Sequence, residues 1–198
     1  MENNRIRRYR GKRVAVEGEK QGFWKEYGYL VTTAVVVVVL FRVILQLAWV
    51  PSGSMETTIP TKSLLVAVRA PYLVSDPLPE RGDVITFWSE EMEKLLVKRV
   101  VGLPGEEISF DGGFVYVDGK RLDEPYLKEE GITVSTDRKN FTVPEGCLFM
   151  MGDNRGGSDD SRFWDDPYVP LAQVRANVLV VISVHAENSW RGIRVIGG

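Results

Sequence analysis

The chain has 198 residues, 44% of them hydrophobic, a formal net charge of -2 and a single cysteine. That length provides one core of moderate size and leaves little room for a second full domain. The near-neutral balance gives no global reason to expect nucleic acid as a partner, and one cysteine excludes both an intrachain disulfide and a cysteine-based zinc site.

Charge is nevertheless uneven. Arg5, Arg7, Arg8, Arg10, Lys12 and Arg13 crowd the first residues, ahead of an apolar run from Tyr27 to Val50 that contains Val35-Val36-Val37-Val38-Val39-Leu40. At ~1.5 Å per residue, roughly 24 helical residues reach about 36 Å, enough to cross a ~30 Å hydrocarbon layer with some tilt. The run predicts a transmembrane helix over 27–49. Arg42 and Gln46 interrupt its second half: either the true core is shorter and ends near Phe41, or, as the preferred reading, Arg42 snorkels to the far interface where Trp49 also sits well. A cleavable secretory signal has a shorter polar lead and a shorter apolar core, so the segment reads as an uncleaved anchor. By the positive-inside rule the basic segment 1–26 stays cytoplasmic and residues 50–198 lie outside the cell membrane, which the chain crosses once.

Just beyond the apolar run comes Val50-Pro51-Ser52-Gly53-Ser54-Met55. Two serines around a glycine after a proline allow a sharp bend that exposes a hydroxyl. Taken alone, the stretch reads first as a turn joining a membrane segment to a folded domain. Its second reading, a nucleophile, requires a base from elsewhere in the chain.

After Pro60 the chain reads as short strands separated by turns. Leu64–Val68, Val84–Trp88, Leu95–Val101, Phe114–Val117 and Val178–Val184 are rich in β-branched and aromatic residues. Asp111-Gly112-Gly113 and Asp118-Gly119 bound one of them as tight hairpin turns do. The expected class is mainly β and antiparallel, with a small β cap at about 106–145 inserted between two halves of the main sheet. Cys147 reads as a small buried side chain.

Three places bear on chemistry. A serine hydroxyl needs a base, and the only histidine is His185, in a strand-end setting that does not look catalytic. Lysine is the other base serine enzymes use, if it is neutral. On a strand Lys98 shares a face with Leu96 and Val100, and apolar surroundings strip hydration from an ammonium and lower its pKa. Bringing it from ~10.4 to near 8 takes about 3 kcal/mol of selective destabilisation of the charged form. A solvated strand lysine is the plain alternative. The third place is the glycine-rich loop Gly152-Asp153-Asn154-Arg155-Gly156-Gly157-Ser158-Asp159-Asp160-Ser161-Arg162. Its carboxylates are hard ligands, but calcium-loop spacing is absent and the two arginines disfavour a dication. An Asp/Arg network that stiffens the loop fits better.

Together these residues resemble the type I signal peptidases, membrane-anchored Ser/Lys proteases that remove signal peptides from exported proteins. The resemblance runs in order through the anchor, Pro51-Ser52-Gly53-Ser54-Met55, Arg81-Gly82-Asp83-Val84-Ile85, Lys98 to Glu106, and Gly152-Asp153-Asn154-Arg155 on to Arg162. It implies Ser54 as nucleophile and Lys98 as general base, with the Ser52 hydroxyl and the Ser54 N–H as oxyanion hole. It further implies that Ser158 orients the lysine, that Asp160 and Arg162 form a supporting ion pair, and that Val50, Met55, Ile59, Leu96 and Val97 surround a pocket for a small residue. No metal or cofactor is implied. The partners expected are signal peptides and the lipid bilayer, the protein acting as a monomer. Two departures stand out: Glu56 replaces the usual proline after the Ser-Met pair, and Gly156-Gly157 replace an Asp-Asn pair common elsewhere. A related self-cleaving repressor type, a peptidase dedicated to one pilus or conjugation substrate, and a silent tethered peptide-binding β module are the alternative readings.

Overall fold

The structure is a computed structural model that describes residues 23–69, 72, 78–134, 137–183 and 190–196. The basic cluster of residues 5–13 and His185 lie outside the described residues.

Helix α1 spans Phe23–Val39, and Thr32 Oγ1 returns a hydrogen bond to the Gly28 carbonyl at 2.8 Å. Leu40–Ile44 continue as one wider π-helical turn. From Trp24 to Ile44 the mean hydropathy is 2.1 and no side chain is buried, so the segment is long and apolar enough to cross a membrane.

The helix expected over 27–49 stops short of that end. Leu45–Trp49 form strand β1, which pairs antiparallel, residue for residue, with β2 (Ser63–Val68). The physical reason is pairing: β2 offers a free ladder to backbone groups that a helix would otherwise satisfy internally. Arg69 closes the junction, its N–H on the Ile44 carbonyl at 2.8 Å and its guanidinium on the Arg42 carbonyl at 3.4 Å. Gln46, an anomaly in a membrane helix, is ordinary here, its Oε1 accepting from Thr86 Oγ1 at 3.5 Å.

The remaining strands are β3 (Val84–Ser89), β4 (Lys94–Gly102), β5 (Glu107–Asp111), β6 (Phe114–Val117), β7 (Lys120–Arg121), β8 (Asn140–Thr142), β9 (Cys147–Met151), β10 (Tyr168–Pro170), β11 (Val174–Ser183) and β12 (Gly192–Val195). All pair antiparallel. The main sheet runs β1-β2-β11-β3-β4-β9-β10, with β12 beside the far half of β11. β4 and β9 are neighbours in it, and the chain between them builds a second sheet, β7-β6-β5-β8. That is the inserted cap. Its hairpin turns use positive φ at Gly112 and Gly113 and at Asp118 and Gly119, as the Asp-Gly signals require.

Two apolar clusters cover the faces of the main sheet. Val50, Met55, Ile59, Leu65, Val84 and Val178 belong to one; Ile85, Phe87, Val100, Leu148 and Met150 to the other, with Leu96 against it. A third joins cap to sheet, Ile108, Phe110 and Phe141 packing on Phe149, with Phe141 and Phe149 ring centroids 4.9 Å apart. Gly102 permits that approach: a Cβ there would lie 2.8 Å from Phe149 Cβ and 2.9 Å from Ile108. Cys147 is half-buried at the edge of this third cluster.

Candidate active site

Strand β4 changes character along its length. β3 pairs with it from Lys94 to Arg99, but β9 joins only from Arg99 onward. Among the described residues the other edge of Lys94–Lys98 therefore has no partner strand. Beside that edge lies a cavity of about 140 Å³ lined by Val50, Ser52, Ser54, Met55, Ile59, Leu96 and Val97, among others. The five residues expected to form the small-residue pocket are thus brought together, with both serines also in the lining.

Ser54 sits half-buried in the turn between β1 and β2. Glu56 N–H donates to the Gly53 carbonyl at 3.0 Å, and Ile59 N–H to the Met55 carbonyl at 2.7 Å. The side chain of Glu56 accepts from Thr61 Oγ1 at 2.7 Å and from its N–H at 3.3 Å, so the residue that replaces the proline ties the loop by hydrogen bonds instead. Ser52 is exposed.

Lys98 is only 3% exposed. Burial lowers its pKa from 10.5 to about 8; Asp160 and Asp159 pull it up, and Arg162 and Lys94 push it further down. The amine donates to Ser158 Oγ at 2.8 Å. Among the described residues it makes this one hydrogen bond, so Ser54 Oγ is not bonded to it here. Gly152 brings the two serines close: a Cβ there would stand 2.1 Å from Ser158 Oγ and 2.4 Å from the Ser54 carbonyl oxygen.

Behind the amine, Arg162 grips Asp160 through Nε at 2.8 Å and Nη2 at 2.9 Å, both side chains fully buried. Burial alone would raise the Asp160 pKa. Arg162, the Gly152 N–H and Ser158 more than offset this and hold it below the usual carboxylate range.

The expected Asp/Arg network completes the support, together with Glu124, Tyr126, Thr133 and Val134, which sequence reasoning did not single out. Arg99 pairs bidentately with Asp153 (2.8 and 2.6 Å) and lies 3.8 Å over the Tyr126 ring. Arg155, whose side chain is fully buried, pairs with Glu124 and takes Thr133 Oγ1 at 2.6 Å, while Arg162 Nη1 reaches the Val134 carbonyl at 2.6 Å. Glu124, Tyr126, Thr133 and Val134 all come from the chain between β7 and β8. The cap thus supplies partners for three buried guanidinium groups, and Glu124 raises the Arg155 pKa against the opposing effect of burial. No metal-binding group of His, Cys, Asp or Glu occurs among the described residues.

The family described as "Signal peptidase, peptidase S26" matches residues 24–183. Signal peptidase I of Bacillus caldolyticus is 36% identical over 157 residues, covering 73% of this chain and 84% of that one. Signal peptidase I of Bacillus licheniformis is 33% identical over 145 residues, 69% of this chain and 77% of that one. A crystal structure of a signal peptidase I from Enterococcus faecalis V583 overlaps 52% of this chain and 98% of that chain, at 35% identity and a TM-score of 0.43.

Proposed function

As a member of the signal peptidase family, peptidase S26, this chain acts on preproteins that carry signal peptides, and we propose that it cleaves them with Ser54 as nucleophile and Lys98 as general base. The observation that carries this reading is Lys98 itself, an amine 3% exposed and held on Ser158 Oγ, with its pKa brought to about 8 by loss of hydration. Near neutral pH such an amine exists partly in the neutral form that accepts a proton.

Lys98 takes the Ser54 proton as Oγ attacks the scissile carbonyl carbon, and the carbonyl π electrons move onto its oxygen. The ammonium returns that proton to the leaving amine as the C–N bond breaks. Lys98 then accepts a proton from water, whose oxygen attacks the acyl-Ser54 ester, and hands it back to Ser54 as the ester C–O bond opens. The Ser54 N–H and Ser52 Oγ receive the oxyanion; preorganised donors there contribute typically ~3 kcal/mol each. Ser158 aims the amine, and Asp160 with Arg162 holds Ser158 in turn.

Substrate lies extended along the unpaired edge of Lys94–Lys98, adding a strand whose backbone hydrogen bonds are indifferent to side-chain identity. Selection falls to the 140 Å³ cavity, where apolar walls from Met55, Ile59 and Val97 accept only a small residue, giving cleavage after Ala-x-Ala-like sequences. The apolar helix anchors the protein by a single crossing that ends by Ile44, residues 1–26 being cytoplasmic and the β domain outside. A reporter fused after Gly198 therefore reads as extracytoplasmic; a cytoplasmic signal rejects this orientation.

The dyad is tested by incubating Ser54→Ala and Lys98→Met with a preprotein. Both are expected to fold and to lose processing. Substantial turnover in either removes that residue from the mechanism.

A further inference from the structure

The Gly53 carbonyl and the Ser54 N–H belong to one planar peptide unit, so whatever fixes the direction of the carbonyl fixes that of the N–H pointing the opposite way. In this chain the Gly53 oxygen accepts two hydrogen bonds. One comes from Glu56 N–H within the turn at 3.0 Å; the other comes from Asn154 Nδ2 at 2.9 Å, across 101 positions of sequence. The backbone N–H of Asn154 also donates to the Ser54 carbonyl at 3.0 Å, so one residue holds the peptide units on both sides of Ser54. A donor on a carbonyl also polarises its amide and strengthens the N–H at the other end.

The Asn154 amide fits there because of Gly157. A Cβ at Gly157 would come within 2.7 Å of Asn154 Nδ2 and 3.1 Å of its Cγ. The Gly157 N–H meanwhile donates to the Asn154 carbonyl at 3.0 Å, closing a tight turn. Gly157 is not in the left-handed region, so what the position needs from glycine is room rather than backbone freedom.

We propose that Asn154 is a positioning residue for the oxyanion hole: its side-chain amide holds the Gly53 carbonyl so that the Ser54 N–H is aimed at the substrate carbonyl oxygen, and Gly157 is the glycine that leaves space for that amide. This rests on the reading of Ser54 as nucleophile. It also gives the glycine that stands at position 157 a purpose specific to this loop.

The test uses the full-length enzyme in detergent and the variants Asn154→Ala, Gly157→Ala and the pair combined, assayed on a signal-peptide substrate. A peptide boronic acid, which forms a tetrahedral adduct on a serine oxygen, serves as the probe of the hole. Each single variant is expected to lower kcat about tenfold with KM within about twofold, and to weaken the boronate by a similar factor, because only the tetrahedral species uses the aimed N–H. The double variant is expected to be no worse than either single, since both remove the same contact. Losses that multiply to about a hundredfold in the double variant, a loss confined to KM, or an undiminished boronate affinity each overturn the proposal.

Asn154→Asp guards against a folding artefact: nearly isosteric, it turns an acceptor toward the Gly53 carbonyl and is expected to lose at least as much as Asn154→Ala. Ser54→Ala runs beside them. If it still cleaves, the assignment of the nucleophile has failed. If it is inactive while the Asn154 and Gly157 variants behave as wild type, this proposal alone has failed.

Discussion

The reaction's dependence on pH gives the sharpest check on the buried amine. With the Lys98 pKa at about 8, roughly a tenth of the enzyme carries neutral lysine at pH 7 and about nine tenths at pH 9. The value of kcat/KM, which tracks ionisation of the free enzyme, is then expected to rise about tenfold over that interval and level off by about pH 9. An amine left at its ordinary value would give about a hundredfold rise over the same interval with no plateau. Cleavage of a fluorogenic signal-peptide substrate at constant ionic strength measures it. Asp159, exposed and adjacent to Ser158, raises the Lys98 pKa by its charge, so Asp159→Asn moves the midpoint to lower pH. A profile that climbs without levelling, or a midpoint that moves upward in Asp159→Asn, refutes the reasoning. Stability carries the same signature. The shift from 10.5 to about 8 corresponds to about 3 kcal/mol against the native state while the amine is charged. Between the two values the unfolded chain binds the proton and the native chain does not, so this penalty is relieved as pH rises from about 8 to 10.5. Denaturant titrations of Lys98→Met should lack that slope.

The packing around the site sets two further outcomes. Glu124→Gln leaves the fully buried Arg155 guanidinium without its counter-charge; breaking such a pair from one side costs about 3–5 kcal/mol, read as a lower denaturation midpoint. Replacing both partners with apolar residues should restore most of that stability. Gly152→Ala places a methyl group 2.1 Å from Ser158 Oγ and 2.4 Å from the Ser54 carbonyl, so processing should vanish while far-ultraviolet circular dichroism keeps its sheet signature. Retained turnover in Gly152→Ala contradicts the close packing of those two serines.

Much of the β framework is legible in residue type alone. Runs such as Val84–Ser89 and Phe114–Val117 combine β-branched residues with turn signals at their ends, and those are local properties. Burial of Lys98 was readable from its neighbours, since Leu96 and Val100 pack into one cluster on the main sheet. The switch from helix to strand was only hinted at by Arg42 and Gln46, because hydropathy does not distinguish a helix from a strand and Leu45, Leu47, Ala48 and Trp49 stay apolar across the change. Glu124 carried no local mark either. Its partner Arg155 lies 31 positions away, and only the fold of the cap brings them together. The same holds for Asn154, whose contact with Gly53 depends on a missing methyl group at Gly157.

The pairs that brace the buried Lys98 amine have a consequence for how the enzyme responds to its surroundings. Arg155 is held above its usual range, Asp160 below its own, and burial beside Glu124 drives the Tyr126 phenol far upward. None of these three changes charge in the interval where Lys98 does. On the proposed mechanism, alkaline conditions therefore switch the catalyst on without loosening the bracket that carries it, and acid silences the proposed base well before Asp160 begins to let go.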